Sequence, residues 1–220
     1  MSAEEAERLV RQLAVAVSVE AIDPGPKGGD VGDEQDRRVA ALGRLGAALE
    51  AEELMSEAAW RQTASAAEET VWLGASLADL SAITGRSRQA ARKRWPELGG
   101  IYRRRKWLGN HVDDIAYMAG QLASRADDLV PSGDHDTFMK LIRQLREGLR
   151  RCGTDFAPEA QERTDPAARW RALDDLVNVT MREIIEMAGK PATPEADFAL
   201  HGARGTLTYY DHATAESAEA

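Results

Sequence analysis

The sequence predicts an all-α chain, a helical bundle with a central helix-turn-helix and flanking amphipathic helices. Two observations predict the class. Segment after segment places apolar residues at three- and four-residue steps, and 43% hydrophobic content comes with only 5% aromatic residues, too rich in Ala and Leu for a β-sandwich. A third predicts the centre, where a glycine turn separates two short capped helices. At 220 residues and 24.0 kDa the chain makes one domain or two small ones, with ample length to bury a core.

The first element runs over 3–21, where Ala6, Leu9, Leu13 and Val17 share one helical face. Asp23-Pro24-Gly25-Pro26 ends it, and the Gly- and Pro-rich stretch 23–33 reads as a link. No Gly-Lys-Ser/Thr follows, so it is no phosphate loop. Residues 1–32 are thus an N-terminal helix and linker. From Asp33 to about Thr70 the chain is rich in Ala, Leu and Glu without Pro, with Val39, Leu42, Leu45, Leu49, Leu54, Ala58 and Trp60 as apolar positions. Two helices, or one long broken one, fit this stretch, which opens a helical region 33–107.

That region ends in the most informative run, Ser76 to Trp95. Ser76 and Asp79 have capping-box spacing, and Leu77, Leu80 and Ile83 are expected to face inward. Gly85 stands where the first helix must turn in a left-handed conformation. Ser87 caps the second helix. At about 100° per residue, Ala90, Ala91 and Arg94 fall on its inner side, while Arg88, Gln89, Arg92 and Lys93 fall on the outer side. Small alanines permit close approach of the two helices, Arg94 must snorkel, and Trp95 closes the packing. The outer face holds what base edges require: Arg for guanine, Gln for adenine, Lys or Arg for phosphates.

Gly85-Arg-Ser-Arg-Gln-Ala-Ala-Arg-Lys-Arg-Trp95 resembles the recognition segment of small bacterial, often actinobacterial, helix-turn-helix regulators. Those read Gly-Val-Ser-Arg-Gln-Ala-Ala and then a basic-aromatic ending. The resemblance covers about residues 76–95 and implies major-groove binding of double-stranded DNA. Arg86 departs from it, standing where the pattern has Val or Ile. Either its stem lies over the core with its charge at a phosphate, or the turn packs less tightly than theirs.

A second basic cluster follows in Ile101-Tyr-Arg-Arg-Arg-Lys-Trp107, with Gly99-Gly100 before it and Asn110 after it as the expected N-cap of the next helix. This places Arg103, Arg104, Arg105 and Lys106 in a loop or short wing. There they are expected to grip backbone phosphates, as Arg86 and Ser87 do, or to enter a minor groove, or else merely to form a solvated turn.

Residues 108–190 read as a C-terminal bundle for dimerisation or partner binding. Val112, Ile115, Ala119, Leu122, Ala126 and Leu129 form a short seam, better suited to an intramolecular bundle than to a zipper. After Pro131-Ser132-Gly133, a helix carries Phe138, Leu141, Ile142, Leu145 and Leu149; another starts at Asp165-Pro166 and runs through Trp170, Leu173, Val177, Ile184 and Met187 to Gly189. Residues 191–220 are expected to be a largely disordered tail, with Thr206 to Tyr210 able to form a short strand.

The formal charge is −9, from 28 Lys and Arg against 37 Asp and Glu, an average that argues against nucleic acid. Yet Arg86 to Lys106 holds nine basic residues and one acid, Glu97, a local +8 that leaves −17 for the rest. Such asymmetry implies an anionic partner met at one place. Lone Cys152, an acidic N-terminus and the absence of a long apolar run lead us to expect a cytoplasmic, nucleoid-associated protein with no membrane span.

The expectation is therefore a DNA-binding transcriptional regulator acting as a homodimer, since one such helix reads few base pairs. Helices at 111–188 are the first choice for the dimer interface. The alternative is a helical adaptor whose basic segment docks an acidic protein. We expect no enzyme, no cofactor and no metal. His111 and His135 with Asp134 and Asp136 suggest an HD-type phosphohydrolase only weakly, and helix starts explain them. Glu4, Glu5 and Glu7, and Glu50, Glu52 and Glu53, read as solvated faces; Trp60, Trp72, Trp95, Trp107 and Trp170 as core or interface anchors.

Overall fold

A computed structural model describes residues 31–158, 160 and 165–215, together with Arg8 and Gln12. The helix expected over 3–21 and most of its linker lie outside the described residues. Two compact units divide between Ser65 and Ala66, and helix α1 (Val31–Trp72) begins in the first and ends in the second.

In the first unit, α1 is one helix where two were as compatible with the sequence. It holds no Pro, and Ala, Leu, Glu and Arg dominate it, so propensity never forces a break; Gly43 and Gly46 are tolerated. Its start also takes in residues 31–33, expected in the linker. Ala47 and Ala51 are buried, whereas the larger Val39, Leu42, Leu45, Leu49 and Trp60 are exposed.

The second unit holds two short helices joined by a turn at Gly85, α2 (Leu77–Thr84) and α3 (Arg88–Arg94), then a bundle built round α4 (Leu98–Ser124). A 3-10 turn (Ala126–Asp128) leads to strand β1 (Leu129–Pro131) and helix α5 (His135–Asp155). Helix α6 (Pro166–Asp175) runs through a π-helical turn (Leu176–Met181) into α7 (Arg182–Met187), strand β2 (Ala188–Pro191) and helix α8 (Pro194–Thr214). The all-α class holds, with one two-stranded antiparallel ribbon pairing Leu129 with Pro191 and Pro131 with Ala188. Gly189 permits this ribbon: a Cβ there would lie 2.6 Å from the Val130 carbonyl oxygen.

Two expectations are corrected. The tail 191–215 is no disordered segment but β2 and α8, and Thr206 to Tyr210 is helical rather than a strand. Thr193 caps α8, Pro194 occupies its first turn, and Ala196, Ala199, Leu200, Ala203, Leu207 and Tyr210 bury a face against the bundle. The basic cluster 103–106 is not a wing; it lies inside α4, whose first turn takes in Gly99 and Gly100. The seam at 112–129 packs within the chain, as its pattern suggested, with Ile115, Ala119 and Leu122 wholly buried in the core shared with Phe138, Ile142, Leu145 and Leu200.

Asn110 was expected to start a helix. Helix α4 instead continues past it and kinks at His111 (φ −131°, ψ 19°), whose ring stacks on Trp107 at 4.5 Å with Nδ1 2.8 Å from the Trp107 carbonyl oxygen.

Candidate nucleic-acid interface

The two short helices and the turn between them form as their residues dictate. Ser76 Oγ accepts from the Asp79 N–H at 3.3 Å, and the Asp79 carboxylate accepts from the Ser76 N–H at 2.7 Å. The Ser76 N–H, and then its hydroxyl donating to the same carboxylate oxygen at 2.8 Å, hold the exposed Asp79 carboxyl below its ordinary range. Helix α2 ends at Gly85, which is left-handed at φ 63°. Ser87 Oγ then accepts from the Ala90 N–H at 3.1 Å to start α3. Pro96 ends α3, because the residue before a proline is driven from helical angles: Trp95 sits at φ −134°, ψ 75°.

The expected division of α3 is present. Ala91 is buried, Ala90 and Arg94 are half-buried, and Arg88, Gln89, Arg92 and Lys93 are exposed. Arg94 lies over its neighbour's ring, with the guanidinium carbon 5.1 Å from the Trp95 centroid. Arg86 and Ser87 are exposed as well, so the Arg86 stem does not cover the core. Among the described residues, none forms an ion pair or side-chain hydrogen bond with Arg86, Arg88, Gln89, Arg92 or Lys93.

Ile83 was expected inside and is 80% exposed. In an eight-residue helix the buried arc centres between Leu77 and Leu80, and Ile83 falls about 90° away from it. An apolar side chain therefore stands three residues before Arg86, which sequence periodicity alone had placed in the core.

The second cluster is used differently from its expected role. Arg103 Nε donates to the Thr214 carbonyl at 2.9 Å, closing the end of α8. Arg104 Nη1 pairs with Asp174 Oδ2 at 3.2 Å. Arg105 Nε donates to the Trp72 carbonyl at 3.0 Å, closing the end of α1, while its guanidinium carbon lies 3.4 Å from the Trp170 ring centroid. Burial and then neighbouring Arg169 lower the Arg105 pKa from the usual guanidinium value. Successive residues of a helix point about 100° apart, so three consecutive arginines reach three different elements. Lys106 is the member of this cluster left exposed.

The sequence candidates thus separate physically. Arg86, Ser87, Arg88, Gln89, Arg92 and Lys93 share one exposed segment, the turn before the seven-residue α3 and its outer side. Arg103, Arg104 and Arg105 are brought inward to hold the bundle.

Other chemistry is sparse. Among the described residues, no group of three or more His, Cys, Asp or Glu is placed to hold a metal ion, and no helix is long and apolar enough to cross a membrane. His135 begins α5, capped by Asp134, whose Oδ2 accepts from the Thr137 N–H at 2.9 Å. Cys152 is buried, and that burial, with Asp155 and Asp113 nearby, pushes its thiol pKa up and away from reactivity. A groove of about 430 Å³ lies beside the His111 kink, lined by Trp107, His111, Asp114, Tyr117, Met118 and Tyr209. No protein-family model, no curated protein and no solved structure matches this chain.

Proposed function

We propose that this chain is a sequence-specific DNA-binding protein, a bacterial transcriptional regulator of the cytoplasm and nucleoid, whose α3 enters the major groove. The observation that carries the reading is the row Arg88, Gln89, Arg92 and Lys93, exposed and unengaged on a short helix that follows the left-handed Gly85, is capped by Ser87 and ends at Trp95. Arg88, Gln89 and Arg92, with Lys93 beside them, supply base contacts. Arg86, Ser87 and Lys106 supply phosphate contacts. Acidic surfaces elsewhere repel phosphate and oppose non-specific binding.

Selection of genomic fragments by the purified full chain at two salt concentrations tests this. A compact motif retained at the higher salt is the expected result. Retention without a motif, lost on raising the salt, rejects it.

Exposed Ile83 favours a second reading, in which the basic segment docks an acidic protein and Ile83 enters an apolar pocket at its centre. That reading expects saturable protein binding lost on Ile83→Asp, with DNA binding weak and blind to sequence.

A further inference from the structure

Among the described residues, no carboxylate pairs with Arg105. Its Nε donates to the Trp72 carbonyl at 3.0 Å, and its guanidinium carbon lies 3.4 Å from the centroid of the Trp170 ring. Gly109, one turn on in α4, leaves the space that the guanidinium fills: a Cβ there would stand 2.7 Å from Nη1. These contacts fix the direction of a long side chain. Neither Nη donates to an acceptor among the described residues, and neither is sealed from solvent. Burial and the neighbouring charge of Arg169 both disfavour the cation. A half-buried guanidinium ordinarily has a carboxylate beside it. Glu68, at the same end of α1, is spent on Arg171 at 3.5 Å and on the Trp72 indole N–H at 3.3 Å.

Arg105 opens into a cavity of about 400 Å³. The other polar side chains lining it are those of Tyr102, Lys106 and Asn110, each able to donate a hydrogen bond, and no Asp or Glu lines it. Gly74 leaves one wall open, since a Cβ there would meet no atom within 4 Å. The lining therefore calls for an anion. A carboxylate is satisfied by the Arg105 fork alone, whereas a phosphate monoester brings more oxygens and more charge and can also take Lys106, Asn110 and Tyr102. The volume lies in the range that holds small organic ligands.

We propose that this cavity binds the phosphate group of a small phosphomonoester, received by the Nη fork of Arg105 with Lys106, Asn110 and Tyr102 around it. A duplex backbone presents the same group, but to exposed side chains; a half-buried fork inside a cavity suits a free ligand. The proposal does not rest on the DNA-binding reading.

Calorimetric titration of the full chain at constant ionic strength tests it, with inorganic phosphate and ribose 5-phosphate as probes and acetate for comparison. Phosphate is expected to bind saturably at one site, ribose 5-phosphate more tightly, and acetate about tenfold more weakly than phosphate. Arg105→Gln is expected to weaken both phosphates by about tenfold or more, and Lys106→Gln by about threefold. Gly109→Ala keeps every charge and sets a methyl against Nη1, the mobile end of a flexible side chain, so the fork shifts while the helix stands. It is expected to weaken binding by about threefold or more, and it decides the matter if Arg105→Gln unfolds. Arg143→Gln, exposed on α5 and outside the cavity, is expected to leave affinity unchanged.

A native chain without saturable phosphate binding overturns the proposal. So does undiminished binding in a folded Arg105→Gln or in Gly109→Ala, an equal loss in Arg143→Gln, or acetate bound as tightly as phosphate. Duplex DNA distinguishes the source: if Arg105→Gln lowers the salt slope of duplex binding by about 1, the cavity takes a backbone phosphate and the small-molecule proposal fails. The two readings fail separately, because a chain that binds ribose 5-phosphate and selects no DNA motif rejects only the DNA reading.

Discussion

Arg104 Nη1 stands 3.2 Å from Asp174 Oδ2, and Tyr210 donates its hydroxyl to the other carboxylate oxygen at 2.6 Å. Asp174, only 5% exposed, is thereby paired on both oxygens, joining α4, α6 and α8 at one point of the core. Removing one partner of such a group costs more than the pair itself contributes, because the survivor is left desolvated. Asp174→Ala is expected to lower stability by about 3 kcal/mol and Tyr210→Phe by about 1 to 2 kcal/mol. Urea unfolding reads both, and losses within error of zero would show the cluster to be incidental.

The same carboxyl sets a pH dependence. Burial raises the Asp174 pKa, and outweighs the lowering by the Tyr210 hydrogen bond and by Arg104. A carboxyl that holds its proton more tightly folded than unfolded contributes stability that is full below its unfolded pKa and is lost as pH rises through the folded value. Tyr210 is displaced upward too, by burial and then by Asp174, so its own share is lost only in strong alkali. Asp174→Asn retains an acceptor without the ionisation. Its stability profile above pH 4 is expected to be flatter than that of the native chain, whose midpoint falls with pH relative to the variant. An unchanged difference between the two from pH 4 to 8 would reject this.

Arg103 and Arg105 are expected to act on stability and not on DNA. Each closes a helix end, on the carbonyls of Thr214 and Trp72, and leaves a C-terminal acceptor unpaired when shortened. Arg103→Gln or Arg105→Gln should cost about 1 to 2 kcal/mol in unfolding. The salt dependence of DNA binding by the folded variant should stay as it was, whereas Lys106→Gln should reduce the slope of log K against log salt by about 1. Equal slope changes in all three variants would return the arginines to the interface.

This contrast shows where the sequence was legible and where it was not. Signals local in the chain read correctly: Ser76 with Asp79, Gly85, Ser87 and the inner alanines of α3 depend on neighbours within a turn or two. Signals that depend on a distant partner did not. Nothing near Arg103 or Arg104 announces Thr214 or Asp174, so a run of cations read as a solvated wing. Gly99 and Gly100 read as a break, although the first turn of a helix tolerates them. The tail looked poor in apolar residues because Ala196, Ala199 and Ala203 pack a close interface with little side-chain mass. Asn110 marked a real feature one residue early, the kink at His111, but a kink within a helix has the same local signature as a cap.

Gly85 is expected to be required for its backbone rather than its size. Its φ of 63° is one that side-chain-bearing residues adopt at a cost, and no atom lies within 4 Å of the position a Cβ would take. Gly85→Ala should therefore lower stability by about 1 to 2 kcal/mol, and Gly85→Asn by less, since asparagine enters this region more readily. Gly74, also at positive φ with open space around it, serves as the matched control. Comparable effects of Ala and Asn at Gly85 would point to packing instead of conformation.

The decisive substitutions lie on α3. Arg88 and Gln89 are its first two residues, exposed on its outer side, where a recognition helix reaches deepest into the groove. Bidentate pairing of Arg with guanine or of Gln with adenine discriminates by about 1 to 3 kcal/mol at one base pair. Arg88→Ala and Gln89→Ala should thus relax preference at one position each while leaving affinity for random DNA nearly unchanged. Arg86→Ala, with no base edge to read, should weaken every sequence alike and lower the salt slope by about 1. Binding to a library of single-base variants of the selected motif, measured for all three proteins, separates these outcomes. Uniform loss across the library for Arg88→Ala and Gln89→Ala would mean that the segment supplies charge alone, and the acidic-protein reading built on Ile83 would take its place.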